Sequence, residues 1–136
     1  MKVLIVDDEP DVIDFISGVA CAMQCEEVDR VTSGEEALTR VIRSDYDLIT
    51  LDIQMPGLNG LEVLSLIRDM CPHAIIAIVS GHVPGNISPE ISGCADVIIE
   101  KPVSLETFET LFTSAAMICE AMEKIRLVGR VPVTTR

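Results

Sequence analysis

Short apolar runs alternate with stretches of helical spacing along the chain. The apolar runs are continuous rather than alternating, which is typical of strands that are covered on both faces in a parallel sheet. They predict four strands, at Val3–Val6, Leu48–Ile53, Ile75–Val79 and Val97–Ile99. A weaker strand is predicted near Glu27–Val31.

In chain order the weak strand is the second of five. Helix-start signals follow the first, second, third and fifth strands. They are a proline suited to a first helical position, two capping-box pairs and a serine cap: Pro10, Ser33 with Glu36, Asn59 with Glu62, and Ser104. Apolar residues then recur with helical spacing, and the last helix is the longest. The order β-α, repeated five times, predicts one doubly wound α/β domain over residues 1–127. The helical pattern is lost in residues 128–136, which predicts a loose tail.

The fourth helical position is the weak one. Residues 82–93 contain two prolines and two glycines. An interior Gly costs a helix about 1 kcal/mol and an interior Pro ~3 kcal/mol. Ser88 as a cap and Pro89 at the first position allow about one turn before Gly93. The sequence therefore predicts a fourth helix that is short or missing, replaced by a loop or a single turn.

Composition narrows the classes of function. The formal net charge of −12 argues against direct contact with nucleic acid, because phosphate contacts need clustered Lys and Arg. The same charge favours a basic partner or a cation. No apolar stretch approaches the ~20 residues that span a membrane, and the N-terminus lacks the apolar region of a signal peptide. The five cysteines are scattered without a CxxC pair, so we expect reduced, mostly buried thiols in a cytoplasmic protein.

Each strong strand ends in a residue whose side chain can bind a ligand or take part in a reaction. Asp7 and Asp8 follow the first strand, Asp52 ends the third, Ser80 the fourth and Lys101 the fifth. Because parallel strands end at the same edge of a sheet, these side chains should converge there. Taken singly, each has an ordinary explanation: the two N-terminal acids can cap a helix, and a lysine can simply be solvated.

Three neighbouring carboxylates need a counter-charge. Like charges in contact repel by roughly 4 kcal/mol per pair at an effective dielectric near 20. A divalent cation relieves this, and Mg²⁺ prefers carboxylate and carbonyl oxygens with retained water. An acid, a metal, a lysine and a hydroxyl are the parts needed to transfer a phosphoryl group onto Asp52.

The set of residues resembles the receiver domain of two-component response regulators. The resemblance rests on Asp7-Asp8, on Asp52 within LDIQMPGLNG, on Ser80-Gly81 and on Lys101-Pro102, and it covers about residues 1–125. Each motif is weak alone, but their order and spacing together are specific. The resemblance implies a flavodoxin-like five-stranded sheet in the order 2-1-3-4-5.

The resemblance also implies a role for each residue of the site. Asp52 is the phosphoacceptor, and Mg²⁺ (or Mn²⁺) is held by Asp8, Asp52 and the backbone carbonyl of Gln54. Asp7 acts mainly through metal-bound water. Lys101 pairs with the phosphoryl group.

Four further positions border this set. Ser80 swings in to bond the phosphoryl group, and a cis peptide before Pro102 aims the lysine into the site. The positions of Gln54 and His82 influence how fast the phosphoryl group is lost, although His82 also fits a solvated loop residue. Ile98 occupies the switch position, where most relatives carry Tyr or Phe.

Ile98 and the interrupted fourth helix both fall on the surface that usually carries the output. We therefore hypothesise that phosphorylation rearranges the 81–96 segment, an order–disorder type of switch that hydrogen exchange can test. The expected function is a stand-alone receiver, not an enzyme in its own right. It takes a phosphoryl group from a sensor histidine kinase or a phosphotransfer protein and changes its affinity for a downstream protein, as a monomer or weak dimer.

Two alternatives belong to other classes. One is a phosphohydrolase of the haloacid dehalogenase type, which needs a second acid where this chain has Gln54. The other is a degenerate receiver that only binds a partner, which a missing acid would favour. Neither fits the complete set of acids as well as the signalling function.

Overall fold

Five parallel strands and five helices alternate along the chain in a computed structural model, which describes residues 1–57, 59–82, 85, 87–130 and 132. The strands are β1 (Lys2–Val6), β2 (Glu27–Val31), β3 (Leu48–Leu51), β4 (Ile75–Ser80) and β5 (Val97–Glu100). The helices are α1 (Pro10–Ala22), α2 (Gly34–Arg43), α3 (Gly60–Met70), α4 (Pro89–Cys94) and α5 (Leu105–Arg126).

The strands form one sheet in the order β2-β1-β3-β4-β5, and every neighbouring pair is parallel. The register aligns the carboxyl ends of the strands, with Val6 opposite Leu51 and Ser80 opposite Glu100. This confirms the predicted doubly wound fold and its strand order. The point where the order reverses lies between β1 and β3, which is where such sheets collect ligands.

Helices cover both faces of the sheet, so the continuous apolar strands are buried on both sides. One core cluster unites alternate strand residues such as Leu4 and Ile49 with side chains of α2 and α3. The other unites Val3, Ile5 and Leu48 with α1 and α5. Neighbouring strand residues therefore point into different clusters, which explains why the sequence shows no polar alternation.

The predicted helix starts are present, although two details differ from a full capping box. The Ser33 hydroxyl accepts the Glu36 N–H (3.2 Å), while the Glu36 carboxylate accepts the Thr32 hydroxyl. The Asn59 side chain accepts the N–H of Leu61, two residues on. Ser104 caps α5 by accepting the N–H of Thr107.

The fourth helix is present but short. Ser88 caps α4 and Pro89 opens it, as predicted, and Ile91 anchors it in the core. The helix continues through Gly93 to Cys94, so the loop alternative is wrong. Its far end is held by the Arg68 guanidinium, which donates to the Cys94 carbonyl and pairs with Asp96.

Two other expectations need correction. β3 ends at Leu51, so Asp52 and Ile53 lie just beyond the strand. None of the five cysteines forms a disulfide, but only Cys71 is buried, and Cys21 is exposed. The other three, Cys25, Cys94 and Cys119, are partly buried. Of the predicted tail 128–136, Val131 and 133–136 lie outside the described residues.

The last helix extends past the core that it covers. Phe108, Phe112 and Ala115 are its buried residues. From Glu120 to Arg130 every residue is exposed. Among the described residues, no helix is long and apolar enough to cross a membrane.

Candidate functional site

The carboxyl edge of the sheet brings the predicted acids and lysine together. Asp7 and Asp52 follow β1 and β3 directly and are buried, with exposed fractions of 1% and 3%. Lys101 follows β5, and its backbone N–H donates to the Ser80 carbonyl (2.8 Å). The neighbouring Lys101–Pro102 peptide bond is cis. The register of the sheet brings the carboxyl ends of the strands, and the residues that follow them, to this edge.

Lys101 is the hub of the site. Its Nζ atom lies 3.1 Å from Asp52 Oδ2, 3.1 Å from Asp7 Oδ2 and 2.8 Å from Glu9 Oε1. The lysine side chain is only 11% exposed. Burial by itself lowers the pKa of Lys101, but the three carboxylates outweigh it and hold the pKa above its usual range. The lysine therefore stays charged while it neutralises part of the acid cluster.

Burial changes the pKa of Asp7. Burial raises its pKa above the ordinary value, and the Asp52 charge adds to the rise. The Glu9 N–H, which donates to Asp7 Oδ1 (2.9 Å), and Lys101 act in the opposite direction. Its other oxygen, Oδ2, is buried beside the ammonium group without an aligned hydrogen-bond donor among the described residues.

Glu9 belongs to the site, and the sequence analysis missed it. It stands at the N-cap position of α1, yet its side chain makes no cap hydrogen bond and turns instead to Lys101. Its signal in the sequence is position alone, because it follows Asp7-Asp8 directly. The alternative that Asp7 serves as a helix cap is not seen, since its oxygen accepts the N–H of Glu9 and not of the first helical turn.

The donor set fits a hard divalent cation. Asp7, Asp8, Glu9 and Asp52 each place a carboxylate oxygen within 4.8 Å of the others. Asp8 and Glu9 are exposed, whereas Asp7 and Asp52 are buried. The acids of this group outnumber the single lysine that contacts them, so the lysine does not balance their negative charge. One buried oxygen, Asp7 Oδ2, also lacks an aligned hydrogen-bond donor among the described residues. An all-oxygen set open to water on one side is what Mg²⁺ requires.

Two hydrogen bonds hold Asp52 in place, one to the neighbouring strand and one within its own turn. Its backbone N–H donates to the Val6 carbonyl (3.0 Å), and its Oδ1 accepts the Gln54 N–H (2.8 Å). These contacts leave Oδ2 facing Lys101. The role of the Gln54 carbonyl as a metal ligand stays a prediction.

Ser80 lies near the cluster, but its hydroxyl is engaged in its own loop. The buried Oγ atom donates to the His82 carbonyl (3.3 Å) and lies 3.5 Å from the His82 N–H. His82 is exposed. Both residues line a small cavity together with five isoleucines: Ile53, Ile78, Ile87, Ile91 and Ile98.

That cavity has a volume of about 10 Å³, which is room for roughly one water molecule. Ile98 pairs with Ile78 in the sheet and is packed against the core beside it. An inward movement of Ser80 or Ile98 would therefore need the neighbouring 81–96 segment to adjust.

The chain belongs to the response regulator receiver domain family, which matches residues 3–113. It is 29% identical over 135 residues to a protein-glutamate methylesterase/protein-glutamine glutaminase of Syntrophus aciditrophicus, covering 96% of this chain and 39% of that protein. It is 32% identical to the response regulator ArlR of Staphylococcus saprophyticus, covering 90% of this chain and 54% of ArlR. The chain thus spans about two fifths to one half of these relatives.

Among solved structures, the response regulator TrrA of Thermotoga maritima in complex with Mg²⁺ and a beryllium fluoride superimposes with a TM-score of 0.72 at 30% identity. The alignment covers 84% of this chain and 97% of TrrA. TrrA has also been solved in complex with the histidine kinase ThkA. Membership of this family makes the chain a receiver domain of two-component signalling, a phosphoacceptor class in which an aspartate takes the phosphoryl group.

Proposed function

We propose that residues 1–127 form a receiver that accepts a phosphoryl group on Asp52 in a Mg²⁺-dependent reaction. One observation carries the proposal: Asp52 Oδ2 lies 3.1 Å from Lys101 Nζ within a group of four acids at the switch point of the sheet. An acid that is buried and paired with a lysine is placed for nucleophilic attack.

The donor is a phosphohistidine on a sensor histidine kinase or a phosphotransfer protein. An oxygen of Asp52 forms a bond to phosphorus as the phosphorus–nitrogen bond breaks, and the imidazole leaves. Lys101 then exchanges a carboxylate for an oxygen of the phosphoryl group. Ser80 breaks its contact with the His82 carbonyl and donates to the same group. The TrrA complex with a histidine kinase supports this type of partner.

Asp8, Asp52 and the Gln54 carbonyl are the proposed metal ligands, with Asp7 acting through water. The cation supplies neutralisation of the phosphoryl oxygens. Phosphorylation then changes the affinity for a downstream protein. Five cysteines that form no disulfide agree with a cytoplasmic location.

The test is phosphorylation by acetyl phosphate with Mg²⁺, followed by intact mass. We expect a gain of one phosphoryl group that is lost in Asp52→Ala and after removal of Mg²⁺ by a chelator. Asp69→Ala, an exposed acid on α3, is the control and should gain the group as the native chain does. No gain in the native chain would indicate a module that only binds a partner, and release of many equivalents of phosphate would indicate a hydrolase.

A further inference from the structure

The distal part of α5 is an apolar surface without a partner among the described residues. Its members are exposed by 42–87%: Met117, Ile118, Met122, Ile125, Leu127 and Val128. Ala115 is the last buried residue of this helix. From Glu120 the helix continues for about two turns in which every residue is exposed.

This extension is not explained by the fold. An isolated helical end is marginal in water, and helices derive most of their stability from burying an apolar face. Ile118, Ala121 and Ile125 recur at intervals of three and four residues, so they lie on one side of the helix. Met117 and Met122 flank that side. The repeat is that of a helix made to pack against another helix.

The area of the surface suits a small symmetric interface. Side chains of this size, half to four-fifths exposed, together present on the order of 400 Å² of apolar area. A standard interface buries about 800 Å² on each partner, and somewhat more than half of that is apolar. The surface therefore supplies the apolar part of one small interface.

Charge favours a second copy of this chain as the occupant. Residues 114–128 contain two acids, Glu120 and Glu123, and two bases, Lys124 and Arg126, so this stretch is neutral in a chain of net charge −12. Two copies repel each other over most of their surface but not here. The acids and bases already pair within the helix, Glu120 with Lys124 and Glu123 with Arg126. A basic partner would instead be drawn to the acidic remainder of the molecule.

We propose that residues 117–128, which are the distal half of α5 and the two residues after it, form a homodimer interface that pairs with the same residues of a second copy. The pairing is isologous, because the same surface meets itself across a two-fold axis. Since the surface lies beyond the core and far from the acid cluster in sequence, dimerisation does not require phosphorylation of Asp52.

Sedimentation velocity from about 5 to 200 µM protein tests the proposal. We expect the mass to rise from 14.8 kDa toward twice that value with concentration. Ile125→Glu should weaken the dimer at least tenfold. Ile42→Glu on α2 is the matched control, because it makes the same change at a side chain of similar exposure, 65% against 61%, and should leave the dimer intact.

Two further measurements separate loss of the interface from loss of the fold. At a concentration where the native chain is monomeric, Ile125→Glu should keep the melting curve of the native chain, and it should still accept a phosphoryl group from acetyl phosphate. Asp52→Ala should dimerise as the native chain does. The proposal is overturned by a native chain that is monomeric at 200 µM, or by Ile125→Glu and Ile42→Glu variants that behave alike.

Discussion

At the scale of single residues, the site is a competition for one ammonium group. Lys101 contacts Asp7, Asp52 and Glu9, and the Glu9 contact is the shortest of the three. In the proposed reaction, the lysine would give up a carboxylate in favour of a phosphoryl oxygen. Glu9 therefore holds the lysine in the unphosphorylated arrangement, although its exposed side chain limits the strength of that pair.

Glu9→Gln should shift this competition toward the phosphorylated arrangement. Loss of an exposed ion pair changes the balance by about 0.2–1 kcal/mol, which corresponds to roughly one-and-a-half- to fivefold tighter binding of the phosphoryl mimic beryllofluoride at saturating Mg²⁺. An NMR titration of beryllofluoride measures the affinity. Glu106→Gln, the same change at an exposed position of α5, is the control. Unchanged or weaker binding in Glu9→Gln would show that Glu9 does not compete for the lysine.

The sequence was sufficient to predict most of this cluster but not the part that Glu9 plays in it. Asp7, Asp52 and Lys101 were predictable because each follows an apolar strand, and parallel strands end together. Glu9 was not predictable, because nothing in the sequence shows that its side chain contacts Lys101 instead of capping α1. The hydroxyl of Ser80 was placed near the site, but its bond to His82 depends on local loop geometry.

At the scale of elements, the β3–α3 connection fixes Asp52. Gly60 opens α3, and a Cβ added there would lie 2.1 Å from the Ile53 carbonyl oxygen. Because that neighbour is backbone, it cannot swing away as a side chain would. The start of α3 is thus packed directly against the residue after Asp52.

Gly60→Ala should destabilise the protein by about 1–3 kcal/mol, the usual range for overpacking, and should slow phosphorylation by displacing the turn that holds Asp52. Chemical denaturation and acetyl phosphate labelling measure the two effects. Gly93→Ala in α4 is the control: its Cβ meets nothing within 4 Å, so we expect no loss and a gain of up to about 1 kcal/mol. Equal stability of the two variants would contradict the packing argument.

The α4 region shows where local signals succeed and where they fail. Ser88 and Pro89 predicted the start of the helix correctly, since capping depends on adjacent residues. Gly93 was expected to end it, but tertiary contacts extend the helix: Ile91 is buried and Arg68 holds the Cys94 carbonyl. The hypothesis that phosphorylation rearranges 81–96 stays a prediction, and these two anchors are the contacts that such a change would break.

At the scale of the whole molecule, excess negative charge is the dominant property. A net charge of −12 destabilises the compact state through self-repulsion, and the acid cluster concentrates that charge at one edge. Salt screens the dispersed charges, whereas a bound cation would act together with Lys101 on the two buried acids, Asp7 and Asp52. Sodium and magnesium salts should therefore stabilise the protein by different routes.

Mg²⁺ at millimolar concentration should raise the melting temperature of the native chain more than NaCl at the same ionic strength, and Asp7→Asn should remove that difference. Without metal, Asp7→Asn should be more stable than the native chain by about 0.5–2 kcal/mol, as is common when a strained functional group is replaced. The raised pKa of Asp7 gives the direction of this change in stability, because the folded chain holds the Asp7 proton more tightly than the unfolded chain does. The stabilisation from this group is complete below the unfolded pKa near 3.8 and is lost as the pH rises through the folded pKa.

Raising the pH therefore increases the cost of burying the Asp7 carboxyl, which the Glu9 N–H and Lys101 offset in part and a bound cation would offset further. Thermal melts at pH 7, with and without Mg²⁺, measure both effects, and Asp69→Asn on the surface of α3 controls for loss of one charge. If Asp7→Asn kept the full Mg²⁺ response, the cation would bind without Asp7. If Asp7→Asn lowered stability without metal, the Asp7–Lys101 pair would outweigh the cost of burying the acid.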